Sequence, residues 1–365
     1  MTSIMALEAD PQYAKVEIED GDVEEQPFSR TEPGSLSSRL PPWVIWSALG
    51  AFCAAMSFSF ILEVASGGEI SFLSTRTHPG LSDLQLDEGV NVSQFCPSNL
   101  PQTADHWLRL VESYANVSSE DLCLEGESDC RCHNPVVPIR GSHSRWNTTF
   151  DRNLELVQEE GRNLDIVLLG DSITEHWLGT DLSNTYDKWT GQNEFYMSRF
   201  YKSNGGPLDG LALGIGGDRT PNIYYRILNG EHEEVKPKIW WLLVGTNDAG
   251  GEYCSSEAIA VGNIMVAETI LQQQPGARVV LNSLLPRDFG PLSKAKIWNI
   301  LKEANTMLEC YAATRRGVFF FNATDLFLED SETLNATMMQ DPVHPNAIGS
   351  QVWGNAIVDY ALELL

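Results

Sequence analysis

The chain is 365 residues long, 42% hydrophobic and 20% charged, which excludes a fully disordered or collagen-like chain and leaves room for one or two domains. Asp and Glu number 50 against 24 Lys and Arg, a formal net charge of −26. Nucleic acid is a poor partner for such a surface, because phosphate binding needs a basic face.

Residues 1–40 carry nine acidic residues, among them Glu17, Glu19, Asp20, Asp22, Glu24 and Glu25, against Lys15, Arg30 and Arg39. No apolar periodicity runs through them, so they read as a disordered acidic tail. From Pro41 to Leu62 the chain then has 22 residues without a charge. As a helix that stretch spans roughly 33 Å, enough for a bilayer core. Trp43 and Trp46 stand at one end, as interfacial aromatics do. A single transmembrane signal-anchor helix is therefore expected over 41–65. A cleaved signal peptide fits less well, since the apolar run is too long and starts too late.

Arg30 and Arg39 before the span, with Glu63 and Glu69 after it, give a weak bias toward a cytosolic N-terminus. Asn-x-Ser/Thr acceptors at Asn91, Asn116, Asn147, Asn322 and Asn335 all follow the span. Five on one side fit a lumenal or extracellular portion, a type II topology. Beyond Cys53 in the span, six cysteines remain: Cys96, Cys123, Cys130, Cys132, Cys254 and Cys310. An even number in an oxidising compartment points to disulfides, with fifteen possible connectivities. Cys123, Cys130, Cys132 and His133 match no standard zinc spacing. Residues 66–144 read as a stem or subdomain with nothing that suggests chemistry.

The remainder, 145–365, is expected to be one α/β domain. Short apolar runs recur at 165–170, 211–217, 238–245, 277–285 and 318–321, each a buried strand. Helical patterns alternate with them: from Ser172, on to Asn229-Gly230, from Ser256 to about Gln274, over 292–314 and over 346–364. Such alternation argues a parallel sheet with helices on both sides. Sites in such folds lie at the carboxyl ends of the strands, here at 170–174, 214–219 and 245–249.

Those turns hold polar groups able to catalyse. Ser172 stands at a strand end and a helix start, where backbone N–H groups face any developing oxyanion. A serine needs a base. His344, in Asp341-Pro342-Val343-His344-Pro345, is three residues from a carboxylate that can accept from its Nδ1–H and leave Nε2 free. His176 is the nearest rival but lacks an orienting acid at that spacing. Gly217 offers a backbone N–H and Asn247 a side-chain amide. Alone, each has a plain explanation: a helix cap, a turn glycine, a turn histidine. The order Ser, Gly, Asn, then Asp-x-x-His, each at a strand end, is a strong signal together.

This order of blocks resembles the SGNH (GDSL-type) hydrolase superfamily. Gly170-Asp171-Ser172 matches the first block, Gly217 the second, Gly245-Thr246-Asn247-Asp248 the third and Asp341-Pro342-Val343-His344 the last. Within it the chain is most similar to esterases like the catalytic subunits of intracellular platelet-activating-factor acetylhydrolase. The stretches DIVLLGDSI, LGIGGDRT, YRILNGE followed by VKPK, LVGTND and LLPR carry that likeness. The resemblance implies a flavodoxin-like three-layer α/β/α sandwich around a parallel five-stranded sheet, with no metal and no cofactor. It implies Ser172 as nucleophile, His344 as base and Asp341 as its orienter. The Ser172 N–H, Gly217 and Asn247 become the oxyanion hole, with Asp171 and Asp248 in support. Ala212 departs from an Asn common in the family, and the stretch over 178–208 is longer.

The function expected is a membrane-anchored lumenal serine esterase acting on short-chain, acetyl-type esters of a carbohydrate or lipid. Two alternatives stand beside it: a glycan O-acetyltransferase using the same three residues, and a non-catalytic binding module. The module is disfavoured because such modules usually lose the Ser or the His, and both are present here.

Overall fold

A computed structural model describes residues 96–365 apart from 119, 161–162, 289–290 and 331–332. The expected tail and membrane span, residues 66–95 and the acceptor Asn91 lie outside the described residues. Among the described residues no helix is long and apolar enough to cross a membrane.

In chain order the elements are α1 (Ala104–Ser113), α2 (Trp146–Glu160), β1 (Ile166–Gly170), α3 (Ser172–Glu175), and a hairpin of β2 (Thr180–Asp181) and β3 (Asn184–Thr185). Then come α4 (Thr190–Arg199), β4 (Gly210–Gly214), α5 (Thr220–Arg226), β5 (Ile239–Leu243), α6 (Thr246–Glu252) and α7 (Ser256–Gln273). The chain ends with β6 (Arg278–Asn282), α8 (Lys296–Thr314), β7 (Val318–Phe321), a ribbon of β8 (Leu328–Asp330) and β9 (Thr333–Leu334), and α9 (Ala347–Leu364).

Five strands pair in the order β4-β1-β5-β6-β7, all parallel. In order of appearance along the chain this is 2-1-3-4-5, the doubly wound arrangement of flavodoxin-like folds. The α/β class and the parallel five-stranded sheet are as expected. β1, β4 and β5 are buried throughout, which suits strands covered on both faces. Trp240 and Trp241 show the two faces directly. The Trp240 indole donates to Gln274 Oε1 just past α7 (3.1 Å), while the Trp241 indole donates to Asn282 and stands edge-on to Tyr360 of α9. Successive strand residues point to opposite faces.

The register places Gly170 opposite both Gly214 and Leu243. Three strands therefore end at one level, and the segments that follow them emerge side by side. The strand order reverses across β1, so this is the crevice where doubly wound sheets place ligands.

Residues 96–144, within the segment expected to be a stem or subdomain, contribute Cys96, Trp107, Val111, Tyr114 and Leu122 to the same hydrophobic core as the sheet. Disulfides Cys96–Cys310 and Cys132–Cys254 tie the segment to α8 and to the end of α6, and Cys123–Cys130 closes a small loop within it. All six of the predicted cysteines are paired. The segment continues along α5, where the Ile139 N–H donates to the Pro221 carbonyl (3.0 Å). It then turns into α2, whose apolar Trp146, Phe150 and Val157 face inward. The helix expected up to Asn229-Gly230 stops at Arg226. A wide turn then brings Glu231 back onto the Arg226 guanidinium.

Candidate active site

Ser172 opens α3 directly after β1. The Asp171 side chain caps that helix by accepting from the Ile173 N–H at 3.0 Å. As the first helical residue, Ser172 has an N–H with no intrahelical acceptor. Its Oγ lies 2.9 Å from His344 Nε2. His344 Nδ1 lies 2.8 and 2.9 Å from the two Asp341 carboxylate oxygens. Asp341 Oδ1 also accepts the N–H groups of Val343 and His344, both at 2.9 Å, so the loop that carries the histidine is wound around its own carboxylate. Burial works to raise the Asp341 carboxyl, but the His344 hydrogen bond and charge and these two N–H groups outweigh it and hold it below the usual carboxylate range.

Gly217 and Asn247 line the same pocket as Ser172 and His344. Gly217 adopts φ +80°, in the left-handed region that favours glycine. Its neighbours' amides are taken: the Gly216 N–H donates to Glu175 Oε2 (2.8 Å) and the Asp218 N–H to the Ile215 carbonyl (3.2 Å). The Gly217 N–H meets no acceptor among the described residues. Asn247 sits in the first turn of α6, its amide donating one N–H to the Asp218 carbonyl at 2.8 Å. The amide carries a second hydrogen, and the side chain borders the pocket. Asp248 is not at the pocket itself. It accepts from the Thr220 N–H and Oγ and so anchors the start of α5 beside the Gly217 turn. Burial pushes Asp248 up to about 6 and Asp171, whose second oxygen has no partner, up to about 7.

The structure thus brings Ser172, His344, Gly217 and Asn247 to one pocket of about 370 Å³, with Asp341 hydrogen-bonded to His344 outside its lining and Asp171 and Asp248 buried next to Ser172 and Asn247 in the chain. His176, the rival histidine, lies under this assembly. Its ring stacks on Trp189 at 3.7 Å and stands 4.8 Å from His344. Burial, then the neighbouring charge of His344, pushes it down to about 2, so it stays neutral.

Several residues of the site have no signature in the sequence. Glu175, fully buried, accepts from the N–H groups of Gly216 (2.8 Å), Leu182 (3.0 Å) and Ser183 (2.9 Å), and it pairs with Arg152. One carboxylate thereby holds both the Gly217 turn and the tip of the β2–β3 hairpin. That tip is left-handed at two successive non-glycine residues, Leu182 (φ +48°) and Ser183 (φ +63°). Such backbone is costly and persists only where partners over-determine it. Beneath, Arg226 joins Asp218 and Glu231 and donates to the carbonyls of Gly170 and Leu213, fastening the ends of β1 and β4 together. The segment expected to hold no chemistry supplies Gly141, Ser142 and His143 to the pocket wall, next to Trp146 of α2. Its disulfides and its bonds to α5 carry it to the strand ends.

A family model described as the GDSL-like lipase/acylhydrolase family matches residues 168–352. The chain belongs to that family of ester-hydrolysing enzymes. Over 245 residues it is 28% identical to platelet-activating factor acetylhydrolase IB subunit alpha1 of Rattus norvegicus, covering 66% of this chain and 92% of that one. It is 32% identical over 162 residues to the alpha2 subunit of the same species, covering 43% and 61%. Among solved structures it is similar to a GDSL-like lipase from Bacteroides thetaiotaomicron, at 19% identity and a TM-score of 0.43, covering 59% of this chain and all of that one.

Proposed function

We propose that this protein is a serine esterase that cleaves short-chain, acetyl-type esters of a carbohydrate or lipid, anchored by one N-terminal helix with its catalytic domain on the lumenal or extracellular side. The observation that carries the chemistry is the hydrogen-bonded line Ser172 Oγ, His344 Nε2, His344 Nδ1, Asp341, opening beside the Gly217 N–H and the Asn247 amide.

In this reading Asp341 fixes the His344 tautomer with Nδ1 protonated. Nε2 takes the Ser172 proton as Oγ attacks the ester carbonyl. The oxyanion is met by the N–H groups of Ser172 and Gly217 and by Asn247 Nδ2. His344 returns the proton to the departing alcohol, which leaves an acyl-serine. Water, deprotonated by His344, then releases the acid and restores Ser172. No step calls for a metal or cofactor. Three paired disulfides among the described residues support an oxidising compartment. The acceptors Asn116, Asn147 and Asn322 are exposed, as glycan attachment requires.

The test is hydrolysis of p-nitrophenyl acetate against longer-chain esters by the full chain made through a secretory pathway, with Ser172→Ala beside it. Turnover that depends on Ser172 and falls with chain length is expected. Turnover that persists in Ser172→Ala overturns the reading. A folded protein that cleaves no ester but acetylates a sugar acceptor is a transferase instead. A glycosidase that shifts no band removes the lumenal placement.

A further inference from the structure

We propose that Arg287 makes the pocket selective for a substrate bearing an anionic group, a carboxylate or a phosphate. The inference rests on the esterase reading of the same pocket.

Arg287 borders the pocket together with Ser172, Asn247, Val343 and His344. It is half-buried, and its Nη1 donates to the Thr246 carbonyl (2.8 Å) and to Thr246 Oγ (3.1 Å). Its neighbour Asp288 donates a backbone N–H to the Pro342 carbonyl (3.2 Å), which joins the loop to the one carrying His344. The position is built for it. A Cβ at Gly250 would lie 2.2 Å from Nη1, 2.7 Å from Cζ and 2.8 Å from Nη2. Only glycine lets the guanidinium lie flat on α6 there. Glycine inside a helix is otherwise less favourable than alanine.

Two arginines border the pocket, and they differ in their partners: Arg219 meets Glu252. Arg287 makes no ion pair among the described residues. It spends one nitrogen on neutral oxygens of Thr246 instead. A cation taken partly out of water is unfavourable, and burial pushes its pKa down; the charges of Asp171, Asp341 and Asp288 oppose that, but none of them is within ion-pair distance. A guanidinium held in place beside the reacting groups, with no carboxylate in direct contact, is the arrangement that an incoming oxyanion completes, because its planar fork suits carboxylate and phosphate. Of the two carboxylates on the pocket wall, Asp218 is paired with Arg226, and Asp181 lies on the hairpin side, its pKa raised by burial and then by the charge of Glu175.

Binding is measured apart from turnover, so that this inference and the esterase reading can fail separately. The full chain carrying Ser172→Ala is titrated calorimetrically with methyl glucuronide, glucose 6-phosphate and neutral methyl glucoside. The same titrations are made with Arg287→Gln and with Arg287→Lys added. At least one anionic ligand should bind about 10- to 100-fold more tightly than the glucoside. The preference should collapse in Arg287→Gln and survive in part in Arg287→Lys, with circular dichroism showing both folded. Whichever anion gains more identifies the group. Equal affinity for all three, no binding of either anion at millimolar concentration, or a preference that survives Arg287→Gln overturns the proposal. A preference without any ester cleavage leaves it standing and removes the esterase reading.

Discussion

The floor of the pocket comes from three adjacent strand ends, whereas its walls come from residues 141–146, the β2–β3 hairpin and the loop at Arg287. The floor is positioned by backbone pairing: Gly170 faces Gly214 and Leu243, and the turns that follow inherit that alignment. The walls are positioned by side chains and cross-links: Glu175 grips the hairpin, Cys132–Cys254 holds the covering segment, and Thr246 seats Arg287. Chemistry thus rests on the sheet, which many sequences can build. In the reading proposed here, selectivity rests on additions held by particular pairs. Damage to the floor should remove turnover of every ester, and damage to the walls should change which ester is preferred or how well the protein holds together.

The largest effect tests the floor. Ser172→Ala and His344→Ala should each cut kcat on p-nitrophenyl acetate by about 10⁴-fold or more, without additivity in the double variant. Asn247→Ala should cost about 10²–10³ in kcat with little change in KM, since it removes one oxyanion donor. Glu175→Gln touches floor and wall together. It should lower kcat/KM by about 10- to 100-fold, because the Gly217 turn loses its fixed position, and it should alter the ranking of alcohol groups. A ranking that stays fixed while kcat falls would mean the hairpin is no wall.

The next tests act on stability. Cys132→Ser or Cys254→Ser should cost about 2–5 kcal/mol in denaturant unfolding. In the surviving folded fraction the chemistry on small esters should persist. The smallest effect concerns pH. Asp171 is raised to about 7 in the folded chain by burial, above its unfolded value near about 4. Its contribution to stability is present below the unfolded value and is lost as pH rises through about 7. Melting temperature should therefore be higher at pH 5 than at pH 8. Asp171→Asn, which keeps a capping side chain, should shrink that difference by a few degrees. An unchanged difference would show that Asp171 titrates normally.

The floor was legible in the sequence because each part is local. Buried strands are apolar runs, and Ser172, Gly217 and Asn247 each follow one directly. Asp341 and His344 signal themselves by spacing alone. The final helix and the one ending at Gln273 were readable from periodicity and caps. The walls were not legible in the same way. Glu175 looks like any helix-surface acid until the hairpin and the Gly216 turn are folded onto it. Gly250 and Arg287 lie 37 residues apart, and neither is unusual alone. α2 was within reach, since Trp146, Phe150, Leu154 and Val157 repeat at helical spacing. α4 offered less, for its polar sequence is fixed by packing on α9 rather than by its own pattern.

The central claim is that Ser172 is a nucleophile activated by His344. The most direct measurement is intact mass and peptide mapping of the full chain after treatment with a fluorophosphonate. The account predicts one adduct, on Ser172, absent in Ser172→Ala and strongly slowed in His344→Ala. A folded protein that takes no adduct, or one that persists in Ser172→Ala, would contradict it.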